Sequence, residues 1–288
     1  MAPEATTPLN GHTVVVTGAT SGVGEATARA LGAAGAHVVL AGRNVDKGRR
    51  IAEEIGPRAE TKALDLADLK SVRAFAESFT DRRIDVLVNN AGVMAVPLRR
   101  TADGFEMQMG TNHLGHFALT GLLLPRITGR VVTVSSAAHL IGRLDLDDLN
   151  WEQRRYSRAA GYAQSKLANL LFSLELERRL AAARSPLRAV AAHPGYAATE
   201  VGSHTGTWFD RLFGFGKRIL QRTPDQGAES VVLAASDPTL SGGYVGPRFL
   251  LYGPPGVARV GRRARDRETA ARLWELSEKL TGVHFDIR

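Results

Sequence analysis

Two periods alternate along the 288-residue chain. Apolar runs in HTVVVT from His12, HVVLA from His37, ETKAL from Glu60, IDVLVNN from Ile84, GRVVTVSS from Gly129 and LRAVAAH from Leu187 predict strands. A seventh strand is expected near Tyr244 to Leu250. Between them lie helical patterns: small residues from about Gly22 to Ala34, a polar stretch around Asp46 to Ile55, and Leu69 to Phe79. Continuous Val/Leu runs separated by helices are the signature of a parallel sheet covered on both faces. The order predicts a doubly wound α/β sheet of about seven parallel strands with helices on both faces. No Pro/Gly-rich linker divides the pattern, so one domain is expected over 11–288, behind a disordered lead over 1–10.

The first strand runs into Thr17-Gly18-Ala19-Thr20-Ser21-Gly22-Val23-Gly24, where a helix begins. Glycines allow tight backbone geometry there, and they let a pyrophosphate approach main-chain N–H groups at the positive helix end. The spacing is GxxxGxG rather than the common GxGxxG, and glycine also serves plain strand-to-helix turns. Its place after strand one favours the dinucleotide.

The second strand chooses between cofactors. An NAD site wants a carboxylate at that strand's end for the ribose 2′-OH. This chain has Ala41-Gly42-Arg43-Asn44 instead. Arg43 offers a fork of donors matched to a 2′-phosphate, although an ordinary surface arginine would read the same. NADP(H) is expected over NAD(H).

Tyr162-Ala163-Gln164-Ser165-Lys166 opens a helical segment that continues through Leu180. Residues four apart share a helix face, so the phenol and the ammonium meet. A free tyrosine titrates near pH 10, and a neighbouring cation is expected to lower that value, as acid/base work at neutral pH requires. Of the five tyrosines only Tyr162 has lysine four residues on; the others have Ala160, Glu200, Arg248 and Gly256. A preceding strand ending in Ser135-Ser136 strengthens the pattern.

At this point the chain resembles the short-chain dehydrogenase/reductase family from about His12 onwards. The matches are TGATSGVG, LDL at Leu64 to Leu66, NNAG at Asn89 to Gly92, Asn112, Ser136, YAQSK, and HPG at His193 to Gly195. AGRN, NNAGVM, TADGFE, NHLGHF, RYS before YAQSK and RETAARLWELS resemble the retinol-dehydrogenase-like branch, which is also similar to WW-domain oxidoreductases and protochlorophyllide reductases. The resemblance implies a single-domain Rossmann-type fold and a nicotinamide-dependent oxidoreductase; with the Arg43 reading and an apolar lid, an NADP(H)-dependent enzyme for a hydrophobic aldehyde, ketone or secondary alcohol is expected. The resemblance also implies Tyr162 as general acid/base, Lys166 as its activator and ribose ligand, Ser136 as holder of the substrate oxygen, and Asn112 as anchor of a water. Gly18, Thr20, Ser21, Gly22, Val23, Gly24, Arg43, Asn44, Asp65, Leu66, Asn89, Ala91 and Gly92 would contact the cofactor, with Pro194, Gly195 and Thr199 at its carboxamide and diphosphate. Family habit implies a homodimer or homotetramer. The rival reading is a non-catalytic NADP-binding regulatory module on the same fold.

Composition narrows the picture further. With 44% hydrophobic and 23% charged residues, a packed core is expected rather than disorder. There is no cysteine, so disulfides and thiol chemistry are excluded. No run approaches the roughly 20 apolar residues of a membrane span, and the first ten residues carry neither a signal peptide nor the apolar anchor of membrane-attached retinol dehydrogenases. A cytoplasmic enzyme is expected. The net charge of +8 is partly concentrated at Arg259, Arg262, Arg263, Arg265 and Arg267. Without a nucleic-acid-binding motif this reads as a solvated loop.

His113 and His116 have an HxxH spacing, but no further ligand lies near in sequence, so packing is preferred to a metal. His193 also reads as structural. Thr207 to Arg222, with Trp208, Leu212, Phe213 and Phe215 among basic residues, reads as part of a substrate lid over about 200–223. A core helix, an oligomer contact and a membrane-surface patch compete with it.

Overall fold

The computed structural model describes residues 7–195, 223–250 and 252–287. Eight strands form one sheet in the order β3-β2-β1-β4-β5-β6-β7-β8. They are β1 Thr13–Thr17, β2 His37–Gly42, β3 Ala59–Ala63, β4 Ile84–Asn89, β5 Ile127–Val134, β6 Arg188–Ala192, β7 Gly243–Pro247 and β8 Pro255–Val257. The first seven pair in parallel, as expected. β8, too short and too rich in Pro and Gly to register as a run, pairs antiparallel to β7 and closes that edge. The order reverses between β1 and β4, and such a switch point opens a crevice at the carboxyl ends of the strands.

Strand alternation sends consecutive residues to opposite faces. Val14, Val16, Val38 and Leu40 pack with Leu31 of α1 (Gly22–Ala33), Ile51 of α2 (Val45–Ile55) and Val231 of the helix Pro224–Ser236. Val15, Val39 and Leu87 face the other way, toward α3 (Leu69–Glu77), a helical stretch over 107–123, α6 (Arg158–Ala182) and the C-terminal helix Arg267–Thr281. We label the last two long helices α7 (Pro224–Ser236) and α8 (Arg267–Thr281).

At the inner end of the lead over 1–10, Leu9 is buried and its N–H donates to the Ala34 carbonyl at 2.8 Å. Two expectations need correction. α6 begins four residues before Tyr162, because Ser157 caps it by accepting from the Ala160 N–H. The stretch around Asn112 is not one regular helix. A short α-turn, α4 (Met107–Met109), passes through a π-turn over Gly110–Leu114 into α5 (Gly115–Leu123). The expected lid lies outside the described residues except for Thr223, which caps α7.

Candidate active site

The glycine-rich turn joins β1 to α1. Gly18 has φ +66°, and a Cβ there would sit 2.8 Å from the Ala91 Cα. A Cβ at Gly24 would meet the Gly18 carbonyl oxygen and the Asn90 side chain. These two glycines are therefore fixed by the turn's own packing. Gly22, with φ +54°, starts the helix after Ser21. Ser21 gives α1 no side-chain cap, whereas Asn44, Asp68, Ser157, Thr223 and Asp266 each cap the helix they precede. The first-turn N–H groups of α1 therefore have no side-chain partner in Ser21.

At the end of β2 a Cβ on Gly42 would meet only the Thr20 side chain, at ordinary contact of 3.5 Å. Arg43 and Asn44 are exposed. Asn44 Oδ1 accepts from the Lys47 N–H at 2.9 Å, so this side chain caps α2 while its Nδ2 and the Arg43 guanidinium keep donors to offer. Asp65 Oδ1 accepts from the Ala67 N–H at 2.9 Å, and Leu66 is buried.

β4 ends in two asparagines with different surroundings. Asn89 is fully buried and donates to Thr120 Oγ1 at 2.8 Å, so its side chain belongs to the core. Asn90 donates through Nδ2 to the Thr17 carbonyl at 2.8 Å and through its backbone N–H to Thr17 Oγ1 at 2.9 Å. Ala91 N–H reaches the same hydroxyl at 3.0 Å. Gly92 lies over the next group, since a Cβ there would come 3.1 Å from Asn112 Oδ1 and 3.5 Å from Lys166 Nζ.

Asn112, fully buried in the π-turn, donates to the Val93 carbonyl and to Ser165 Oγ, both at 2.9 Å, and accepts from the Val93 N–H at 2.8 Å. A π-turn inserts one extra residue per turn and commonly re-aims a side chain at a working site. Lys166 is buried, its Nζ donates to the Val134 carbonyl at 3.1 Å, and it stands 5.8 Å from the Tyr162 ring centre. Tyr162 keeps part of its surface open. Ser136 caps a short 3-10 turn over Ala137–Leu140, with Oγ accepting from the Ala138 N–H at 3.2 Å. The Tyr162 phenol lies close enough to its hydroxyl to feel it electrostatically. Tyr162, Lys166, Ser136 and Asn112 therefore gather in one place.

The electrostatics correct one expectation. Burial raises the Tyr162 phenol above its ordinary value, and the Ser136 hydroxyl only opposes that rise. The Lys166 ammonium is lowered to about 8 by burial. Desolvation penalises whichever form carries charge, and here it outweighs the expected acidification of the phenol by the cation.

Pro194 and Gly195 follow β6, where Gly195 has φ +74° and its N–H donates to His193 Nδ1 at 3.2 Å. His193 is buried and stacks on Tyr244 with ring centres 5.1 Å apart. Thr199 lies outside the described residues. His113 and His116 diverge: His113 Nε2 is 3.0 Å from Ser277 Oγ, while His116 lies between the Asn112 carbonyl and Thr17 Oγ1, each at 2.9 Å.

Sequence reasoning missed Thr17 and Asn90. The Thr17 hydroxyl ties the end of β1 to the β4 loop and, through His116, to the backbone of Asn112. The alternation of β4 held a signal, since Val86 and Val88 pack on one face and Leu87 on the other. It also missed the clamp at the start of α4. There Glu106 is fully buried, caps the turn, and accepts from Tyr156 Oη at 2.9 Å.

Comparison with known proteins agrees with this arrangement. The sequence pattern of the short chain dehydrogenase family matches residues 12–209. Retinol dehydrogenase 13 of Homo sapiens is 42% identical, over 97% of this chain and 87% of its own. Polyprenol dehydrogenase of Mus musculus is 42% identical, over 98% and 87%. A crystal structure of an uncharacterized protein from Mycobacterium paratuberculosis is 52% identical over 97% of both chains, with a TM-score of 0.85. With two thirds of its length matched by the family pattern and its switch-point crevice built as described, the chain belongs to the short-chain dehydrogenase/reductase family of oxidoreductases, in the retinol-dehydrogenase-like branch.

Proposed function

We propose that this chain is an NADP(H)-dependent oxidoreductase that interconverts the carbonyl and alcohol of a hydrophobic aldehyde, ketone or secondary alcohol, working as one catalytic domain. The observation that carries this reading is the meeting of Ser136, Tyr162 and Lys166 beside the switch point. The cofactor fits the residues present. The uncapped start of α1 suits a pyrophosphate, and exposed Arg43 beside Gly42 suits a 2′-phosphate. When bound, the nicotinamide supplies or accepts the hydride.

The side chains have complementary tasks. A phenol held above its ordinary pKa keeps its proton at neutral pH, so Tyr162 is ready to protonate a carbonyl oxygen as an acid. Ser136 holds the same oxygen as charge develops on it. Lys166, with a pKa of about 8, is still largely cationic at pH 7 and stabilises the phenolate left behind. Two features support an apolar substrate. Leu140 and Ile141, at the end of the serine turn, are exposed, and relatives named for retinol and polyprenol act on greasy alcohols.

The test is NADPH consumption against a panel of hydrophobic aldehydes and ketones, with Tyr162→Phe alongside and NADPH binding measured separately. Turnover that vanishes in the variant supports the proposal. Tight NADPH binding with no turnover on any member would favour a regulatory binding module instead.

A further inference from the structure

The turn that carries Ser136 is gripped from behind by a buried histidine. His139 is 1% exposed, on the 3-10 turn that Ser136 caps. Its Nδ1 lies 2.7 Å from the Ser136 carbonyl oxygen and its Nε2 lies 3.2 Å from the Gly261 N–H. A carbonyl can only accept and an amide N–H can only donate. These two partners, with the Tyr244 hydroxyl 3.3 Å from Nδ1 placed to share the same proton, fix one tautomer, neutral imidazole with the proton on Nδ1 and the lone pair on Nε2.

The ring is also fixed in orientation. It stands edge-on to Tyr244 at 5.3 Å and 89°, and Tyr244 in turn stacks on His193. The ends of β5, β6 and β7 are thereby interlocked. A Cβ at Gly261 would press to 3.1 Å on His139 Nε2, so the close approach suits glycine.

We infer that His139 is a positioning residue for Ser136. Its Nδ1–H sets the tilt of the Ser136 peptide, and Nε2 ties that turn to Gly261 in the C-terminal segment. The Ser136 carbonyl and hydroxyl share one residue, so rotating the peptide swings Oγ away from the Tyr162 phenol. The inference rests on the reading of Ser136 as the group that holds the substrate oxygen.

Two variants separate the two hydrogen bonds. His139→Asn places an amide N–H near the Nδ1 position, whereas His139→Gln places an amide oxygen near the Nε2 position. Both are compared with His139→Ala by kcat, substrate KM and NADPH KM. For Ala and Gln, kcat falls roughly tenfold to a hundredfold, Asn stays within about threefold of the parent, and NADPH KM is unchanged. Equal kcat for Asn and Gln, or parental kcat for Ala, overturns the inference. A second readout needs no turnover: nitrogen-15 NMR of His139 at pH 7 should show a protonated Nδ1 and a bare Nε2. If the parent turns over no substrate, the proposed function fails while this spectrum still decides. A proton on Nε2 would overturn the positioning role.

Discussion

Lys166 stands one helical turn beyond Tyr162, with Nζ 5.8 Å from the phenol ring centre and 3.1 Å from the Val134 carbonyl oxygen. The second distance shows how the cation is held. No carboxylate pairs with it among the described residues, and the buried ammonium donates to a backbone carbonyl beside the Tyr162 ring. A buried charge without a counter-ion is expensive, and it is retained here beside the group that would carry the reaction.

That cost has a pH signature. The lysine titrates at 10.5 when unfolded and at about 8 in the fold. Between those values the unfolded chain binds the extra proton, so this group makes stability rise with pH across the window. Below about pH 8 its full destabilisation is felt. Lys166→Met should raise Tm at pH 7 by several degrees, at about 2–4 °C per kcal/mol for a chain near this size. The Val134 carbonyl keeps a donor in Asn169 Nδ2 at 3.1 Å. Melting curves from pH 7 to pH 10.5 check this, and a gain that stays constant with pH would disprove the assignment.

Tyr162→Phe removes the hydroxyl and leaves the ring. Turnover should fall by at least about a hundredfold, the usual worth of a positioned acid or base, while NADPH affinity holds. Steady-state kinetics with fluorescence titration of NADPH separates the two. Retention of most of the activity would exclude Tyr162 as the acid.

Arg43→Ala tests the choice of cofactor. Losing a bidentate, charge-assisted contact should weaken NADPH by roughly ten- to a hundredfold, at about 1.5–3 kcal/mol for a hydrogen bond to a charged group, and leave NADH nearly unaffected. Titrating both nucleotides checks this, and equal losses would remove the phosphate role.

Much of the fold was legible in sequence because the central strands carry unbroken apolar cores, as in Val14-Val15-Val16 and Val38-Val39-Leu40, whereas the edge strand β3, Ala-Glu-Thr-Lys-Ala, is half-exposed. The Tyr162–Lys166 pairing was legible because helical period alone brings residues four apart together. What escaped depends on distance in space. Thr17 and Asn90 are 73 positions apart and meet only because β1 lies beside β4 across the switch point. Asn89 matched the family motif, yet its side chain turns into the core toward Thr120. The phenol's pKa escaped for a related reason: sequence places the cation beside it but says nothing of how dry the surroundings are.

Acid sensitivity should be traceable to a pair of buried histidines, His113 and His116. Burial lowers them to about 3 and about 4 from the ordinary 6.5. As pH falls below 6.5 the unfolded chain takes up protons that the folded chain refuses. Stability contributed by these groups is therefore intact near neutrality and lost on acidification, the loss being complete below about pH 3 to 4. His116 cannot be changed cleanly, because it bonds both Thr17 and the Asn112 carbonyl. His113 can. It packs among Phe117 and Phe172, with ring centres 6.1 and 6.0 Å away, and its polar partner Ser277 retains a hydrogen bond to the Leu273 carbonyl at 2.7 Å. His113→Phe should leave stability at pH 7 within about 1 kcal/mol and take up one proton fewer on unfolding, flattening the dependence by up to about 1.4 kcal/mol per pH unit below pH 6.5. Urea unfolding at intervals from pH 4 to pH 7 measures that slope directly. An unchanged slope would mean that His113 takes up its proton in the folded state, and that the aromatic cluster around it is open enough to admit a charge.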